Sequence, residues 1–366
     1  MTGFIKKEPV LSAAFVLAII TCFLHVPQAD VLQSIDFRVL AILFCLMTVT
    51  SGLDEEGILS AAASVLLSKA EKWRQVYIVL VFLCFFSSMI VTNDVSLITF
   101  VPVAIKTTYM AGQEKRLIKV IIMQTIAANL GSMLTPIGNP QNLYLYSLSG
   151  LTAAEFMLKI LPVWCGAFIL ILLTAFTEKN EYIGKREHMV LKKFKKDRVI
   201  LYFVLFAISL LCVMRVIHYG VAFAIVAVSV FVKNKKLFIK TDYTLIITFI
   251  FFFIFIYNIK STESVRSFFE STIKNHEFVW GLALSQIISN VPAAVLLSGF
   301  TKNYIPLMAG VNIGGLGTLI ASMASLISYK LYLATKNADI KAFMISFTLW
   351  NVVSIMFLLP FSVLYV

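Results

Sequence analysis

The sequence predicts an all-α polytopic membrane protein with two inverted-topology repeats, each holding a re-entrant hairpin and a broken helix. Three observations lead to this prediction: the chain is rich in apolar residues, many apolar runs reach membrane-spanning length, and two sets of polar motifs recur in its halves. Of the 366 residues, 60% are hydrophobic and only 14% are charged, whereas a soluble domain carries about 25% charged residues. The bilayer must therefore solvate much of the surface.

The apolar runs define the predicted membrane segments. A spanning helix needs roughly 20 mostly apolar residues. Such segments are predicted near residues 9–26, 37–53, 116–149, 160–177, 199–217, 219–232, 241–259, 305–330 and 343–362.

The segment 116–149 is too long for one simple crossing. It contains Gly131, Pro136, Gly138 and Pro140. Proline ends or kinks a helix because it lacks a backbone donor, and glycine adopts conformations that other residues avoid. We therefore expect a broken helix here, and a second one in the matching segment of the other half.

The segment 54–72 opens with Asp54, Glu55 and Glu56 and continues with alanines and leucines at helical spacing. Acidic side chains are favourable in the first turn of a helix, so these residues are predicted to start an interfacial helix. A short crossing is the alternative. Glu155 is likewise predicted to mark a short interfacial helix.

Two segments, 74–105 and 277–300, fit poorly as single spans. Each has a polar tip in its middle, Thr92-Asn93-Asp94 in the first and Ser289-Asn290 in the second, with short apolar arms on both sides. This pattern is typical of a re-entrant hairpin whose tip stops inside the membrane. Irregular backbone at that depth is stable only where it is buried in protein or lines a cavity.

The net charge of +12 comes from basic residues that lie between the apolar runs. Lys6 and Lys7, the run 179–198 and the run 233–240 are predicted to be cytoplasmic, because cytoplasmic loops are enriched in Lys and Arg. With 74–105 as a hairpin, nine crossings place the C-terminus outside. Membrane topology accounts for the positive charge, so no nucleic-acid partner is expected.

The two halves of the chain match where their polar residues lie. Residues 129–137 align without gaps to 312–320, and the match continues to Asn142 and Ser325. The charge pattern predicts that the two hairpins enter from opposite sides of the membrane. The sequence thus predicts a first repeat in 1–178, a basic loop with a linking helix in 179–218 and a second repeat in 219–366.

Inverted repeats of this kind bind substrates near the membrane midplane. Helix N-termini attract anions, and free carbonyls with Asn and Thr side chains hold hard cations. The candidate substrate- and ion-binding residues are Thr92, Asn93, Asp94, Ser96, Thr135, Pro136, Gly138, Asn139, Asn142, Ser289, Asn290, Gly315, Gly317, Thr318 and Ser322. The candidate sodium ligands are Asn93, Gly138, Asn290 and Thr318.

Asp94 is the carboxylate that the prediction places at a hairpin tip. An ionisable group at membrane depth costs roughly 2.5–3.5 kcal/mol on insertion scales and is functional by default. Asp94 is therefore the candidate for coupling, through a proton or a sodium ion. Capping of the second hairpin helix is the alternative. No Lys or Arg is predicted inside the site, so anion binding would rest on amides, hydroxyls, helix dipoles and a bound cation.

The sequence resembles the ion transporter superfamily, and is most similar to its arsenite permease, citrate permease and sodium/proton antiporter branch. The resemblance rests on TNDVSLITFVP at 92–102, NLGSMLTPIGNPQNL at 129–143, SQIISNVPAAVLL at 285–297 and VNIGGLGTLIASMASLI at 311–327. It implies a scaffold, a mobile transport domain that moves as an elevator, and a homodimer. Small inner-membrane permeases of bacterial type are the most similar members.

The more distantly similar divalent-anion/sodium symporters carry Ser-Asn-Thr at each hairpin tip. The present chain keeps the central Asn93 and Asn290, but Asp94 and Val291 replace the Thr. This departure argues against sodium-coupled dicarboxylate transport. The expected function is ion-coupled secondary transport of a small oxyanion or carboxylate, with sodium/proton antiport, arsenite-type efflux and an anion channel as alternatives. No cofactor and no enzyme activity are expected.

Overall fold

A computed structural model describes residues 9–24, 29–183 and 194–365 of the chain. Lys6, Lys7 and residues 184–193 of the predicted 179–198 loop lie outside these ranges. In chain order the α-helices are α1 Pro9–Leu24, α2 Phe37–Glu55, α3 Ile58–Ser68, α4 Trp73–Val91, α5 Asn93–Met110, α6 Leu117–Ser132, α7 Pro140–Ser149, α8 Ala153–Phe176, α9 Lys196–Val213, α10 Tyr219–Lys233, α11 Leu237–Lys240, α12 Tyr243–Lys260, α13 Glu263–Ile273, α14 Glu277–Ile288, α15 Asn290–Ser298, α16 Tyr304–Gly314, α17 Met323–Leu333 and α18 Ile340–Ser362.

The protein is a multi-pass, all-α membrane protein. Five helices of the described ranges are long and apolar enough to span a bilayer. They are Phe37–Glu55, Trp73–Val91, Ala153–Phe176, Tyr243–Lys260 and Ile340–Tyr365, the last including a short 3₁₀ turn. Their outer faces carry many exposed large apolar side chains, which is the surface that a bilayer solvates.

Both hairpins turn at the tips that the sequence predicts. Helices α4 and α5 meet at Thr92, and α14 and α15 meet at Ser289. The prediction of short arms holds for the second hairpin, with 12 and 9 residues, but is wrong for the first, whose arms have 19 and 18 residues. Its first arm is one continuous apolar helix from Trp73 to Val91, which is long enough to span a bilayer.

Both long segments are broken helices, as predicted. The first break separates α6 from α7, and Asn139 caps α7 while Pro140 occupies its first turn. At that position the missing proline N–H costs no hydrogen bond. The second break separates α16 from α17, and Ser322 caps α17.

Two predictions of interfacial helix starts are wrong. Asp54 and Glu55 end α2, and α3 begins only at Ile58, after Gly57 in a left-handed conformation. The acidic residues have distant partners instead: Glu55 pairs with Lys240 at 2.9 Å, for example. Glu155 lies in the first turn of the long helix α8, where it forms a capping box with Thr152.

The helices form two groups. A hairpin group consists of α4–α8 and α14–α18, in which α4 packs along α6 and α14 along α16. A flanking group consists of α1, α2 and α9–α12, in which α12 packs along α1, while α9 and α10 pack on α2. Direct contacts between the groups are few, since α12 touches α15, and α2 touches α5 and α7. Helix α3 lies between the groups and packs on α2 of the flanking group and on α4 and α5 of the hairpin group. The candidate site lies at this narrow interface.

Candidate functional site

The two hairpin tips have the same backbone geometry. Thr92 adopts φ 74° and ψ 155°, and Ser289 adopts φ 76° and ψ 152°. These positive φ angles are rare for residues other than glycine and store strain. The N–H of Asn93 donates to the Gly138 carbonyl at 3.1 Å, and the N–H of Asn290 donates to the Ala321 carbonyl at 2.9 Å. Each tip is thus attached to the break of its own half.

A second pair of matching hydrogen bonds attaches the breaks to the hairpins. The Thr135 hydroxyl donates to the Met89 carbonyl at 2.5 Å, and the Thr318 hydroxyl donates to the Gln286 carbonyl at 3.0 Å. Met89 and Gln286 each lie three residues before the turn residue of their hairpin. The repeat found in the sequence therefore corresponds to a repeated set of contacts.

The two halves are also joined to each other by reciprocal hydrogen bonds. The Asn129 side chain of α6 accepts a bond from the Ser322 hydroxyl, the cap of α17, at 2.9 Å. In return the Asn312 side chain of α16 accepts a bond from the Asn139 amide, the cap of α7, at 3.0 Å. Asn129 also accepts from the Asn93 amide at 3.1 Å. All five side chains are buried.

The sequence analysis did not place Asn129 and Asn312 among the site residues. Both were visible in the sequence, because each opens the ungapped motif that relates the halves. A polar residue in the middle of an apolar helix that is repeated at the matching position is a signal for a buried partner. That signal would have identified both.

A cavity of about 340 Å³ lies where four helix N-termini converge. It is lined by Asn93 and Asp94 of α5, Pro140 and Gln141 of α7, Asn290 of α15 and Met323 of α17, among others. Side chains of α1 and α12 close it from the flanking group. The first turns of helices carry partial positive charge, so this arrangement suits an anion.

A smaller cavity of about 150 Å³ adjoins the hairpin group on its α2 side. It is lined by Thr92, Asp94 and Asn139, together with apolar side chains of α2. Asp94 therefore contributes to both cavities.

The prediction that no basic side chain lies at the site is wrong. Lys330 of α17 lines the larger cavity, and Lys240 of α11 lines the smaller one. Asp242, the cap of α12, lines both. Sequence reasoning missed Lys240 and Asp242 because they stand at helix ends away from the motifs, and it missed Lys330 although this residue lies only three residues after the motif 311–327. Only the packing of the helices brings them to the site.

Asp94 is the second residue of α5 and is partly buried. Its Oδ1 atom is buried and accepts no hydrogen bond from the residues that the structure describes. The cap position of α5 belongs to Thr92, whose side chain makes no capping bond. This geometry favours the coupling interpretation of Asp94 over the capping one, since a cap accepts a bond from the first turn.

The predicted site residues divide into those that line a cavity and those that support its walls. The lining residues are Thr92, Asn93, Asp94, Asn139, Ser289, Asn290 and Ser322. The remaining ones, which line neither cavity, are Ser96, Thr135, Pro136, Gly138, Asn142, Gly315, Gly317 and Thr318. The four candidate sodium ligands are accordingly divided, with Asn93 and Asn290 at the larger cavity and Gly138 and Thr318 away from it.

Two glycines of the breaks have no room for a side chain. A Cβ atom on Gly138 would lie 2.0 Å from the Ser132 carbonyl oxygen, which is backbone. Gly317 has φ 106°, and a Cβ there would lie 2.1 Å from Oε1 of Gln286, a flexible side chain. Both positions therefore require glycine, the first for close approach and the second for conformation.

The fold defines a multi-pass membrane protein with a cavity between two helix groups. Residues 3–304 match the model of the citrate transporter family CitMHS, and the chain belongs to this family. It is 35% identical over 303 residues to the uncharacterized transporter MJ0456 of Methanocaldococcus jannaschii, covering 82% of this chain and 83% of the relative.

Two further relatives are more distant. The inner membrane protein YbiR of Escherichia coli is 28% identical over 302 residues, covering 81% of this chain and 80% of the relative. The silicon efflux transporter LSI3 of Oryza sativa is 28% identical over 153 residues, covering 41% of this chain and 31% of the relative. The family is one of transporters and not of enzymes, so the chain is a membrane transporter.

Proposed function

We propose that this protein is an ion-coupled secondary transporter of a small anion, a carboxylate or an oxyanion. The observation that carries the proposal is the convergence of four helix N-termini on one cavity of about 340 Å³. Their partial positive charges attract an anion, and the tip residues Asn93 and Asn290 supply amide donors. Lys330 adds a full positive charge at the same cavity.

The proposed movement is of the elevator type. The narrow interface between the hairpin group and the flanking group supports it, because few contacts must break when one group slides along the other. The reciprocal bonds of Asn129 and Asn312 support it too, since they tie the two halves of the hairpin group into one body. The cavity would then travel with that body and face each side of the membrane in turn.

The substrate class follows from the lining and from the relatives. The family is described as citrate transporters, and one relative is described as a silicon efflux transporter. Citrate is a small, oxygen-rich carboxylate. A lining of amides, hydroxyls and helix N-termini recognises oxygen acceptors of this kind, and an oxyanion or a carboxylate is therefore the substrate to test first.

The second candidate function is cation exchange, either as a sodium/proton antiporter or as the coupled step of an arsenite-type efflux permease. The presence of Asp94 and Asp242 at the same cavity favours it. An antiporter would move sodium against protons with no anion present, whereas the anion transporter would need one. An anion channel is less favoured, because the tight attachment of the tips to the breaks suits a moving body better than an open pore.

We further propose a plasma (inner) membrane protein of bacterial type with a cytoplasmic N-terminus, an external C-terminus and a homodimeric assembly. The basic run 233–240 supports the orientation, and the resemblance to elevator transporters supports the dimer. Single cysteines in 233–240, in a background without native cysteines, should react with a membrane-impermeant reagent only from the cytoplasmic side. Labelling from outside would contradict the inverted repeats.

The proposed anion specificity can be tested with purified protein. Thermal unfolding is followed with citrate, smaller carboxylates, phosphate, arsenite or silicic acid, with and without sodium, and any stabilising solute is then used for uptake into proteoliposomes. We expect one class of anion to raise the unfolding temperature, and Asn290→Ala to abolish that shift. Asn258→Ala is the matched control, because Asn258 is a buried asparagine that contacts Thr21 and Cys22 in the flanking group. Stabilisation by no anion, with sodium/proton exchange intact, would favour the antiporter.

A further inference from the structure

Two carboxylates from different helix groups face the same space. Asp94 belongs to α5 of the hairpin group, and Asp242 caps α12 of the flanking group. Both line the larger cavity, and both line the smaller one. The Oδ1 atom of Asp94 is buried and has no hydrogen-bond partner in the described part of the chain.

Asp242 uses only part of its hydrogen-bonding capacity. Its Oδ1 atom accepts a hydrogen bond from the N–H of Leu245 at 3.0 Å, which caps α12. A carboxylate has about four acceptor positions on two oxygens, so this bond leaves the second oxygen for another partner.

The surrounding charges leave these carboxylates incompletely neutralised. Lys330 of α17 also lines the larger cavity, but it is largely exposed. Lys240 of α11 lines the smaller cavity and is paired with Glu55 at 2.9 Å. Two carboxylates that line one cavity repel each other, and a cation bound between them relieves that repulsion.

We infer that Asp94 and Asp242 together form the site of the coupling cation, a proton or a sodium ion, across the interface of the two helix groups. This inference rests on the proposed transport function and adds Asp242 to it. The asymmetry of the tips agrees with a single site, because Val291 occupies the position of Asp94 in the second half.

The proposed cation site is shared between two helix groups that move relative to each other in the elevator mechanism. If the hairpin group slides along the flanking group, Asp94 moves away from Asp242 and the shared cation loses one of its two carboxylates. Cation affinity therefore depends on the position of the hairpin group. A cation that binds tightly in one position and weakly in the other biases the position of the whole body.

The test compares three substitutions that preserve shape. Asp94→Asn and Asp242→Asn each remove one carboxylate, and Asn remains a good helix cap at position 242. Asp36→Asn is the matched control. Asp36 caps α2 through the same bond, with its Oδ1 accepting from Val39 N–H at 3.0 Å, and it lines neither cavity.

Cation binding is measured without any anion. Thermal unfolding of the purified protein is recorded in sodium chloride against choline chloride at alkaline pH, and across a pH series in choline chloride. We expect the wild type to be stabilised either by sodium or by acidification, which identifies the cation. Asp94→Asn and Asp242→Asn should each weaken that response, by about tenfold or more in apparent affinity, while Asp36→Asn retains it.

Three results would overturn the inference: a wild-type response to neither cation, an unchanged response in Asp242→Asn, or an equal loss in Asp36→Asn. These readings do not depend on the substrate, so they are separate from the anion test. If no anion stabilises the wild type or any of the variants, while the cation response is as expected, the anion proposal is refuted and the cation site is still supported.

Discussion

The first and second breaks have the same hydrogen-bonded frame but differ in side chains and in exposure. At matching positions of the two breaks, Thr135 is partly buried and Thr318 is exposed. At matching positions of the hairpin tips, the first half has Asp94 and the second half has Val291. The hydrogen bonds that hold the tips to the breaks occur in both halves, whereas an aspartate stands at the tip of the first half alone. The comparison teaches that recognition can be shared between the halves while coupling depends on one of them.

The largest expected effect distinguishes the glycines of the two breaks. Gly138→Ala forces a Cβ against the Ser132 carbonyl, and such overpacking costs roughly 1–3 kcal/mol or more. Transport should be abolished while the protein still inserts in the membrane. Gly317→Ala places an alanine at a strained φ of 106°, but the nearest neighbour is the Gln286 side chain, which can move, so transport should fall less than in Gly138→Ala. Uptake normalised to the amount of folded protein measures both, and equal loss in the two variants would contradict the comparison.

The next effect concerns the reciprocal asparagines. Asn312→Ala removes the partner of the Asn142 side chain, which Asn312 contacts at 2.6 Å, and of the Asn139 amide. Buried groups left unpaired cost about 1–3 kcal/mol each, so the unfolding temperature should fall. Asn129→Ala should act more on anion stabilisation, because its partners Asn93 and Ser322 line the larger cavity.

The matched control for these two variants is Asn258→Ala, since Asn258 is a buried asparagine outside the site. Thermal unfolding with and without the stabilising anion separates the two effects. If Asn129→Ala binds the anion as the wild type does, the hydrogen bond from Asn93 to Asn129 supports the structure and does not contribute to anion binding.

Asn93→Ala and Asn290→Ala test whether the tips act as equals. Each removes an amide at the larger cavity, and a similar loss of anion affinity is expected from both, equivalent to roughly 1–3 kcal/mol. Anion titrations followed by unfolding temperature measure this loss. A loss confined to one tip would show that recognition, like charge, belongs to one half.

The smallest effect is expected from the threonines that attach the breaks to the hairpins. Thr135→Ala removes a partly buried hydrogen bond and should cost about 1 kcal/mol of stability. Thr318→Ala should cost less, because the Thr318 hydroxyl is exposed and water can replace it. Thr→Ser at each position keeps the hydroxyl and serves as the control. A larger loss of stability in Thr318→Ala than in Thr135→Ala would contradict the view that the second break is the more exposed one.

The sequence was most informative where polar residues interrupt an apolar run and where proline breaks a helix. The turns at Thr92 and Ser289 lie at the predicted polar tips, and Pro140 lies at the predicted break of 116–149. The composition likewise predicted the all-α membrane fold. The opposite orientation of the repeats in the membrane stays a prediction.

The features that the sequence did not predict depend on packing between distant elements. Asp242 and Lys330 reach the cavity from helix ends more than a hundred residues away from Asp94. Asp54 was assigned to a helix start because its neighbours are acidic, yet it ends α2 and accepts a hydrogen bond from Thr99 of α5. The helix propensity of a segment does not identify partners that are distant in the sequence.

The reciprocal bonds between the halves have a consequence for biogenesis. When residues 1–178 have entered the bilayer and the rest of the chain has not, Asn129 lacks Ser322 and Asn139 lacks Asn312. Amides without partners are costly in hydrocarbon. The first half alone therefore keeps unpaired amides that water or the insertion machinery can stabilise. When the second half inserts, it supplies the missing partners, and these amides no longer need that help.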